Sequence, residues 1–271
     1  MDKDGRVMIL DGSQDKILIY EPGGKYVSSV TFPKRTLGFV NAAACLDDSN
    51  ILVNNCVYNN SNDIYSILSL SDKTVTVIAG LSMVSDNIVE PTGKTTIGGY
   101  GQILFLKPFD DTLYTVDGKN NVEPILYVAH TKKTVDDKYF NAHPTFSSAT
   151  TYMGLSQDGY FTGFVSVFET EHYLLMCTYN DIYFLVDKST NSGRPLRLAT
   201  CDDYIGVPLL NIVAPPSDDF IGYWRPGDFS DENSLDQIGN PSNESVHSFV
   251  TSLRSLPEDG NPCLIVYHLN K

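Results

Sequence analysis

The feature that most constrains the fold is a series of short β-type runs joined by turns too short to contain a helix. Residues 7–10 (VMIL) lead into Asp-Gly-Ser, residues 16–20 (KILIY) lead into Pro-Gly-Gly, and residues 26–32 (YVSSVTF) end at a proline. Runs of this length that are rich in β-branched and aromatic side chains and bounded by Gly, Pro or Asp are typical of strands. Because a parallel pair needs a crossover connection of a dozen or more residues, we expect these strands to pair antiparallel.

A tyrosine recurs at a nearly regular interval after such runs. The tyrosines at positions 20, 65, 114, 183, 223 and 267 are separated by 45, 49, 69, 40 and 44 residues. An interval near 45 residues with one insertion is typical of repeated four-stranded units. One such sheet cannot bury both of its faces, whereas sheets packed around an axis can. The sequence therefore predicts an all-β chain, a β-propeller of four-stranded antiparallel blades.

The last tyrosine has a second interpretation. Tyr267 belongs to the final apolar run, within residues 262–270. This run is either a sixth equivalent of the repeat or a strand that closes the fold.

Two segments depart from the strand pattern. Residues 131–160 are polar, and we expect them to form an irregular insertion. Residues 226–261 read as loop with one helix, which Asn243 caps and Pro257 stops. The helix carries an apolar stripe that we expect to pack against a sheet: Val246, Phe249, Val250, Leu253 and Leu256. No linker divides the chain, so residues 1–271 are predicted to form a single domain.

Composition and charge exclude several classes of protein. Hydrophobic residues make up 42% of the 271 residues, enough for a packed core, and no apolar run approaches the roughly 18 residues of a membrane span. The formal net charge of −14 argues against nucleic-acid binding, because phosphate backbones repel an acidic surface. The first residues show neither a basic nor an apolar leader segment, which leaves a cytosolic protein or a trimmed start as alternatives.

The cysteines do not form a recognisable framework. Their number is odd and no Cys-x-x-Cys spacing occurs, so we interpret them as small buried hydrophobes rather than disulfide partners or zinc ligands. They are Cys45, Cys56, Cys177, Cys201 and Cys263.

The two ends of the chain resemble known propellers. Residues 4–11 (DGRVMILD), 17–20 (ILIY) and 24–26 (GKY) resemble the NHL-type repeat of six-bladed β-propellers. Residues 257–271 (PEDGNPCLIVYHLNK) and 103–114 are similar to the six-bladed β-propeller lipoproteins of Bacteroidetes. The resemblance implies an exported parent protein, periplasmic or on the cell surface and lipid-anchored, in a family mostly without an assigned activity. The family's lipoprotein signal and first-blade turn are missing here, which leaves six blades, or five and a closing strand.

Motifs that would indicate catalysis or metal binding are weak. The histidines lack His-x-His and His-Glu-x-x-His spacings, so a metal site would need ligands from separate blades. They are His130, His143, His172, His247 and His268. The Gly98-Gly99-Tyr100-Gly101 segment lacks the Lys and Ser/Thr of a phosphate loop and predicts a tight bend.

Pairs of adjacent aspartates are frequent, and we interpret them as turn residues rather than as acid–base catalysts. Neighbouring side chains in a turn point apart, and aspartate accepts hydrogen bonds from backbone N–H groups there. The pairs begin at Asp47, Asp110, Asp136, Asp202 and Asp218.

The strongest candidate for ligand contact is Tyr223-Trp224-Arg225, where two aromatic rings and a guanidinium follow one another at a strand end. Such a group can form a stacking platform for a sugar or a peptide. We therefore predict a non-enzymatic, monomeric binding or scaffold module for a glycan, a peptide or an envelope protein, with no cofactor. The alternatives are a lactonase- or lyase-type enzyme that holds calcium or zinc on the propeller axis, and a purely structural interaction module.

Overall fold

A computed structural model describes the following residues: 4–34, 36–37, 40–55, 63–80, 97–98, 102–142, 148–178, 182–196, 212–213, 219–224, 244, 248, 251–252, 255–257, 260–261 and 263–267. The chain divides into two compact units, Met1–Val167 and Phe168–Lys271.

The first unit contains three antiparallel sheets in which each strand pairs with the next one along the chain. The first sheet is β1 (Val7–Asp11), β2 (Lys16–Tyr20) and β3 (Tyr26–Thr31). The second is β4 (Val40–Cys45), β5 (Asn50–Asn55), β6 (Asp63–Ser69) and β7 (Val75–Gly80). The third is β8 (Ile97–Gly98), β9 (Leu104–Leu106), β10 (Thr112–Val116) and β11 (Val122–Tyr127). The predicted antiparallel pairing is confirmed.

The fourth and fifth sheets repeat this arrangement. The fourth is β12 (Phe164–Glu169), β13 (Tyr173–Thr178), β14 (Tyr183–Asp187) and β15 (Ser192–Leu196). The fifth is β16 (Ile212–Val213), β17 (Phe220–Trp224) and β18 (Cys263–Tyr267). In the fifth sheet β18 lies antiparallel to β17, with Tyr267 opposite Phe220 and Cys263 opposite Trp224. The final apolar run is therefore a strand of the last sheet, although almost forty residues separate it from its neighbour.

The recurring tyrosines mark one strand of each sheet. The first five lie in the penultimate strands β2, β6, β10, β14 and β17, whereas Tyr267 lies in the last strand, β18. In the first three sheets the tyrosine also coincides with a register shift against the following strand, at Tyr20, Tyr65 and Tyr114. Such bulges bend a strand and increase its local twist. The tyrosine interval is thus a structural repeat, and Tyr267 is not a sixth equivalent.

The middle of the second sheet is buried on both faces. Successive side chains of a strand point to opposite faces, and in β5 Ile51 and Val53 pack in one apolar cluster with Ile17 of the first sheet. Leu52, between them, packs in another cluster with Phe105 of the third sheet. The second sheet therefore lies between the first and the third, which explains why successive residues of β5 are apolar from Ile51 to Val53.

The sequence predicted an irregular insertion at residues 131–160, and this prediction is wrong. The segment contains two helices, α1 (Asp137–Ala142) and α2 (Ser148–Gln157). The side chain of Asp136 accepts a hydrogen bond from the Tyr139 N–H at 3.1 Å and so caps α1. Among the described side chains of α2, the buried hydrophobic ones are Tyr152 and Leu155. Two apolar residues one turn apart form too short an apolar stripe to indicate a helix in the sequence.

The predicted helix near the C-terminus is described at four positions. Glu244, Ser248, Thr251 and Ser252 are helical and exposed, and the Ser252 hydroxyl donates to the Ser248 carbonyl at 2.9 Å. Their spacing of four, seven and eight residues from the first places them on one helix face. The apolar stripe lies outside the described residues except Leu256, which is 39% exposed. Its packing against a sheet stays a prediction.

Candidate functional site

A cleft of about 510 Å³ opens between the second and third sheets of the first unit. Residues at the end of β4, before β9 and around the β10–β11 turn line it. They are Cys45, Leu46, Gln102, Ile103, Thr115, Val116, Asp117, Gly118, Asn121 and Glu123.

The β10–β11 turn is held in shape by the carboxylate of Asp117. Its Oδ1 accepts the N–H groups of Lys119 and Asn121 at 2.8 and 2.9 Å, and its Oδ2 accepts the Asn121 carboxamide at 2.8 Å. Hydrogen bonds from the backbone and then the side chain of Asn121 hold the pKa of Asp117 below its usual value. The carboxylate is therefore a fixed negative charge at the rim of the cleft.

Gly118 leaves room for the close approach of a neighbouring turn. A Cβ at Gly118 would lie 2.6 Å from Oδ2 of Asp47, in the turn between β4 and β5. Asp47 itself accepts the Ser49 N–H at 2.7 Å. The missing side chain lets two acidic turns from neighbouring sheets come together beside the cleft.

The lining of the cleft combines acceptors with an aliphatic floor. Glu123 is exposed, whereas Val116 is 5% exposed. The Thr115 hydroxyl donates to the Ile103 carbonyl at 2.9 Å, so its proton is already used. Among the described residues that line the cleft, none is aromatic or basic.

A second polar cluster lies at the turn between β9 and β10. Lys107 Nζ is 3.0 Å from Asp110 Oδ2, which also accepts the Tyr114 hydroxyl at 2.9 Å, and Nζ lies 4.1 Å from the centre of the Tyr114 ring. Burial alone would lower the pKa of Lys107, but contacts with Tyr114 and Asp110 outweigh it, and the pKa is raised. This geometry locks the turn with a charged pair.

Asp111 points to a different partner from its neighbour. Its Oδ2 is 3.4 Å from His130 Nε2, whose ring lies 4.2 Å from that of Phe161. His130 Nδ1 is 3.1 Å from the Lys132 carbonyl, while Nε2 is buried without a hydrogen-bond partner among the described residues. Asp111 and His130 are therefore close enough for an ion pair, but their atoms are not aligned for a hydrogen bond.

The interpretation of the paired aspartates as turn residues is confirmed for the first member of three pairs, whereas Asp111 lies beside His130. Asp47 and Asp110 accept backbone N–H groups in turns, the latter from Thr112 at 3.0 Å, and Asp136 caps α1. The pair at 202–203 and residue 218 lie outside the described residues.

The alternative with a metal on the propeller axis is not tested. No group of three His, Cys, Asp or Glu side chains suited to a metal occurs among the described residues. Of the histidines, His130 and His172 belong to that part of the chain, and His143, His247 and His268 do not. An axial calcium or zinc therefore stays an alternative to the prediction of no cofactor.

The predicted platform also stays a prediction. Tyr223 and Trp224 are consecutive residues of β17, opposite Leu264 and Cys263. Their side chains and the whole of Arg225 lie outside the described residues. Of the cysteines, Cys177 is buried and Cys45 half-buried, and neither forms a disulfide bond among the described residues. The predicted bend at 98–101 is described only at Gly98, in β8.

The repeated antiparallel sheets agree with a comparison of the whole sequence with protein families. Residues 1–215 match the family described as a 6-bladed beta-propeller, DUF5128. The chain belongs to this family. The membership confirms the predicted fold class and the resemblance to six-bladed propellers. No curated protein matches the chain in sequence.

One solved structure is similar enough to this propeller to support the fold, and two more distant ones are similar to it. A Bacteroides fragilis protein named provisionally as exported is 19% identical with a TM-score of 0.61, covering all of this chain and 76% of the other. Streptogramin B lyase is 12% identical with a TM-score of 0.44, and the match covers all of this chain and 67% of the lyase. Virginiamycin B lyase from Staphylococcus aureus is 11% identical with a TM-score of 0.43, and the match covers 81% of this chain and 60% of the lyase. The two lyases are too distant to bear on this propeller's activity.

Sequence reasoning missed the cleft in this propeller. Its lining comes from segments that are more than fifty residues apart, and nothing in either segment marks them as neighbours. The local signal was the Asp117-Gly118 turn, which the sequence shows, but that turn alone indicates a hairpin and no cavity.

No helix among the described residues is long and apolar enough to span a membrane.

Proposed function

We propose that this propeller is a non-enzymatic binding module of the cell envelope, and that the cleft between its second and third sheets holds part of a peptide, glycan or protein partner. The observation that supports this most directly is the cleft itself, about 510 Å³ with a mixed polar and aliphatic lining. Cavities of this size with a few oriented polar groups are the usual form of ligand sites.

The cleft is a preformed surface rather than a loose gap between loops. The Asp117 carboxylate fixes the β10–β11 turn by three hydrogen bonds, and Val116 and Ile103 belong to the packed region beneath it. A rigid site loses less conformational entropy when it binds a ligand. We therefore expect binding without a large change in the surrounding sheets.

The groups described in the lining favour recognition over nucleophilic catalysis by a hydroxyl. The hydroxyl of Thr115 donates to a carbonyl, and no histidine is among the described residues that line the cleft. A hydroxyl or thiol nucleophile is activated by an adjacent base. Recognition is the function that these groups support best.

A blocked cleft tests the proposal. Peptide and glycan arrays are screened against the wild-type protein and against Glu123→Trp, which adds an indole at the cleft in strand β11. Tyr127→Trp is the matched control, because Tyr127 lies in the same strand, is 63% exposed and is absent from the lining. We expect saturable wild-type binding that only Glu123→Trp abolishes. Turnover of a ligand without saturable binding, or equal loss in both variants, would contradict the proposal.

Export and lipid anchoring of the parent protein are a separate part of the proposal, supported by the resemblance of residues 257–271 to envelope lipoproteins. Fractionation of the native cells with an antibody to this propeller tests them. We expect the protein in the envelope fraction, released by detergent. Recovery in the cytosolic fraction would refute the envelope location but not the proposed binding by the cleft.

A further inference from the structure

We propose that the cleft accepts a lysine or arginine side chain presented by an extended peptide segment of the partner. This inference rests on the proposed function and names the chemistry of its ligand. It is drawn from the charge, the floor and the composition of the lining.

The charges of the cleft favour a cation. The two ionisable carboxyl side chains among the described lining residues are Asp117 and Glu123, and the carboxamides of Gln102 and Asn121 provide further oxygen acceptors. The Asp47 carboxylate adds another negative charge beside Gly118. Opposite charges attract a ligand over roughly 10 Å at moderate ionic strength, and the whole chain adds to this field with a net charge of −14.

The floor of the cleft suits the stem of a long basic side chain. Leu46, Ile103 and Val116 are aliphatic and line the same cleft as the two carboxylates. Lysine and arginine place their methylene groups along apolar surface while the charged head stays with acceptors and water. The combination of aliphatic floor and acidic rim matches that shape.

The same lining fits a sugar less well. Aromatic faces provide the stacking surface on which a sugar ring packs, and none of the described residues in the lining is aromatic. Between the glycan and the peptide that the sequence left open, the cleft therefore favours the peptide.

One cation of the protein itself that acts on the cleft is Lys119, two residues after Asp117. Its positive charge contributes to the lowered pKa of Asp117, yet Lys119 is exposed and does not line the cleft. A bound lysine would be repelled weakly by it. We therefore expect Lys119→Ala to strengthen the binding of a basic peptide.

The test uses blocked pentapeptides, alanine at every position except the centre, which is lysine, arginine or norleucine. Binding is followed by chemical-shift changes of the backbone amides around the cleft in the whole chain. We expect the lysine and arginine peptides to bind and the norleucine peptide, which has the stem without the charge, to bind at least about 5-fold more weakly. Raising the salt should weaken only the basic peptides.

Charge-neutral variants localise the effect. Glu123→Gln should weaken the basic peptides by about 3- to 5-fold. Asp72→Asn removes a carboxylate from a similar turn that is not in the lining, and should leave the affinity unchanged. Equal binding of norleucine and lysine, or equal effects of the two variants, would overturn the inference.

The failure of this inference can be told apart from failure of the proposed function. If the array screen finds a neutral ligand that Glu123→Trp blocks and the basic peptides do not bind, the cleft is a binding site of different chemistry. If neither the screen nor the basic peptides show saturable binding, both proposals are refuted.

Discussion

The hydroxyl of Tyr65 donates a hydrogen bond to the backbone carbonyl of Leu106 at 2.6 Å. Tyr65 lies in β6 of the second sheet and Leu106 in β9 of the third, and both are fully buried. The Tyr65 ring also lies 4.6 Å from that of Phe105. A single side chain thus joins two neighbouring sheets by a polar and an apolar contact.

Tyr65→Phe should destabilise the first unit by about 1 to 2 kcal/mol, because it keeps the ring but leaves a buried carbonyl without this donor. Urea unfolding followed by circular dichroism measures the change. Tyr26→Phe is the control, since Tyr26 is 53% exposed, and it should change stability by less than about 0.5 kcal/mol. Equal effects of the two variants would show that the Tyr65 hydrogen bond contributes nothing.

Gly163→Ala should be more destabilising than Gly24→Ala. Both glycines have positive φ, +79° and +82°, but a Cβ at Gly163 would lie 2.7 Å from the Phe109 nitrogen, whereas nothing lies within 4 Å of one at Gly24. The backbone conformation alone costs about 1 to 2 kcal/mol in each variant. The overlap at Gly163 should add about 1 to 3 kcal/mol, and thermal unfolding of the two variants side by side would disprove this if their losses were the same.

The ion pair of Glu169 and Lys188 in the second unit predicts an asymmetric response to mutation. Nζ of Lys188 lies 2.8 Å from Oε1 of Glu169, and the Glu169 side chain is only 1% exposed. Lys188→Met leaves this carboxylate buried without its cation and should cost about 2 to 3 kcal/mol, below the range for a fully buried pair because Lys188 is 31% exposed.

Adding Glu169→Gln to Lys188→Met should restore part of that stability, since the double variant buries no charge. Denaturant unfolding of the wild type, both single variants and the double variant gives the coupling energy. Strictly additive losses would mean that the pair does not act as a unit.

The hydrogen bonds to Asp187 should make the folded protein less stable in acid. The Ser189 hydroxyl and then backbone N–H groups donate to its carboxylate, and they hold the pKa of Asp187 below its usual value of 3.8. A pKa that is lower in the folded than in the unfolded state stabilises the fold above the unfolded value, and this contribution is lost as the pH falls through the folded value.

The unfolding free energy of Asp187→Asn, which keeps an acceptor but does not titrate, should differ from that of the wild type by a constant amount above about pH 5. The difference should shrink below pH 3.8. Ser189→Ala, which removes the largest cause of the shift, should reduce the pH dependence of the wild-type carboxylate. A difference that is independent of pH between 2 and 7 would contradict the assignment.

Local features of the sequence predicted the strands and turns well. The runs at 7–10 and 16–20 became β1 and β2, because alternating β-branched residues and short turns leave few other backbone arrangements. The aspartates accept turn N–H groups as expected, because that bond needs only residues two or three positions away. The recurring tyrosine marked the penultimate strand for the same reason, since each repeat encodes it locally.

Other features were missed because distant residues create them. Helix α2 is anchored where Tyr152 stacks on Phe109 at 5.0 Å, a contact between residues far apart in the chain that leaves no periodic stripe in the helix itself. The Tyr65 hydrogen bond spans 41 residues. The single-domain prediction and the platform at Tyr223-Trp224-Arg225 stay predictions.

The sequence alone determined that the chain forms short strands joined by tight turns and that they pair antiparallel, because these choices depend on torsional preferences and bonds among near neighbours. Only the tertiary structure decided that both faces of β5 are buried and that Leu46 and Val116 share a cleft. Those outcomes depend on which sheet packs against which. The hydrophobic effect that drives this packing is non-directional, so the pattern of apolar residues in one strand does not show which distant segment will cover it.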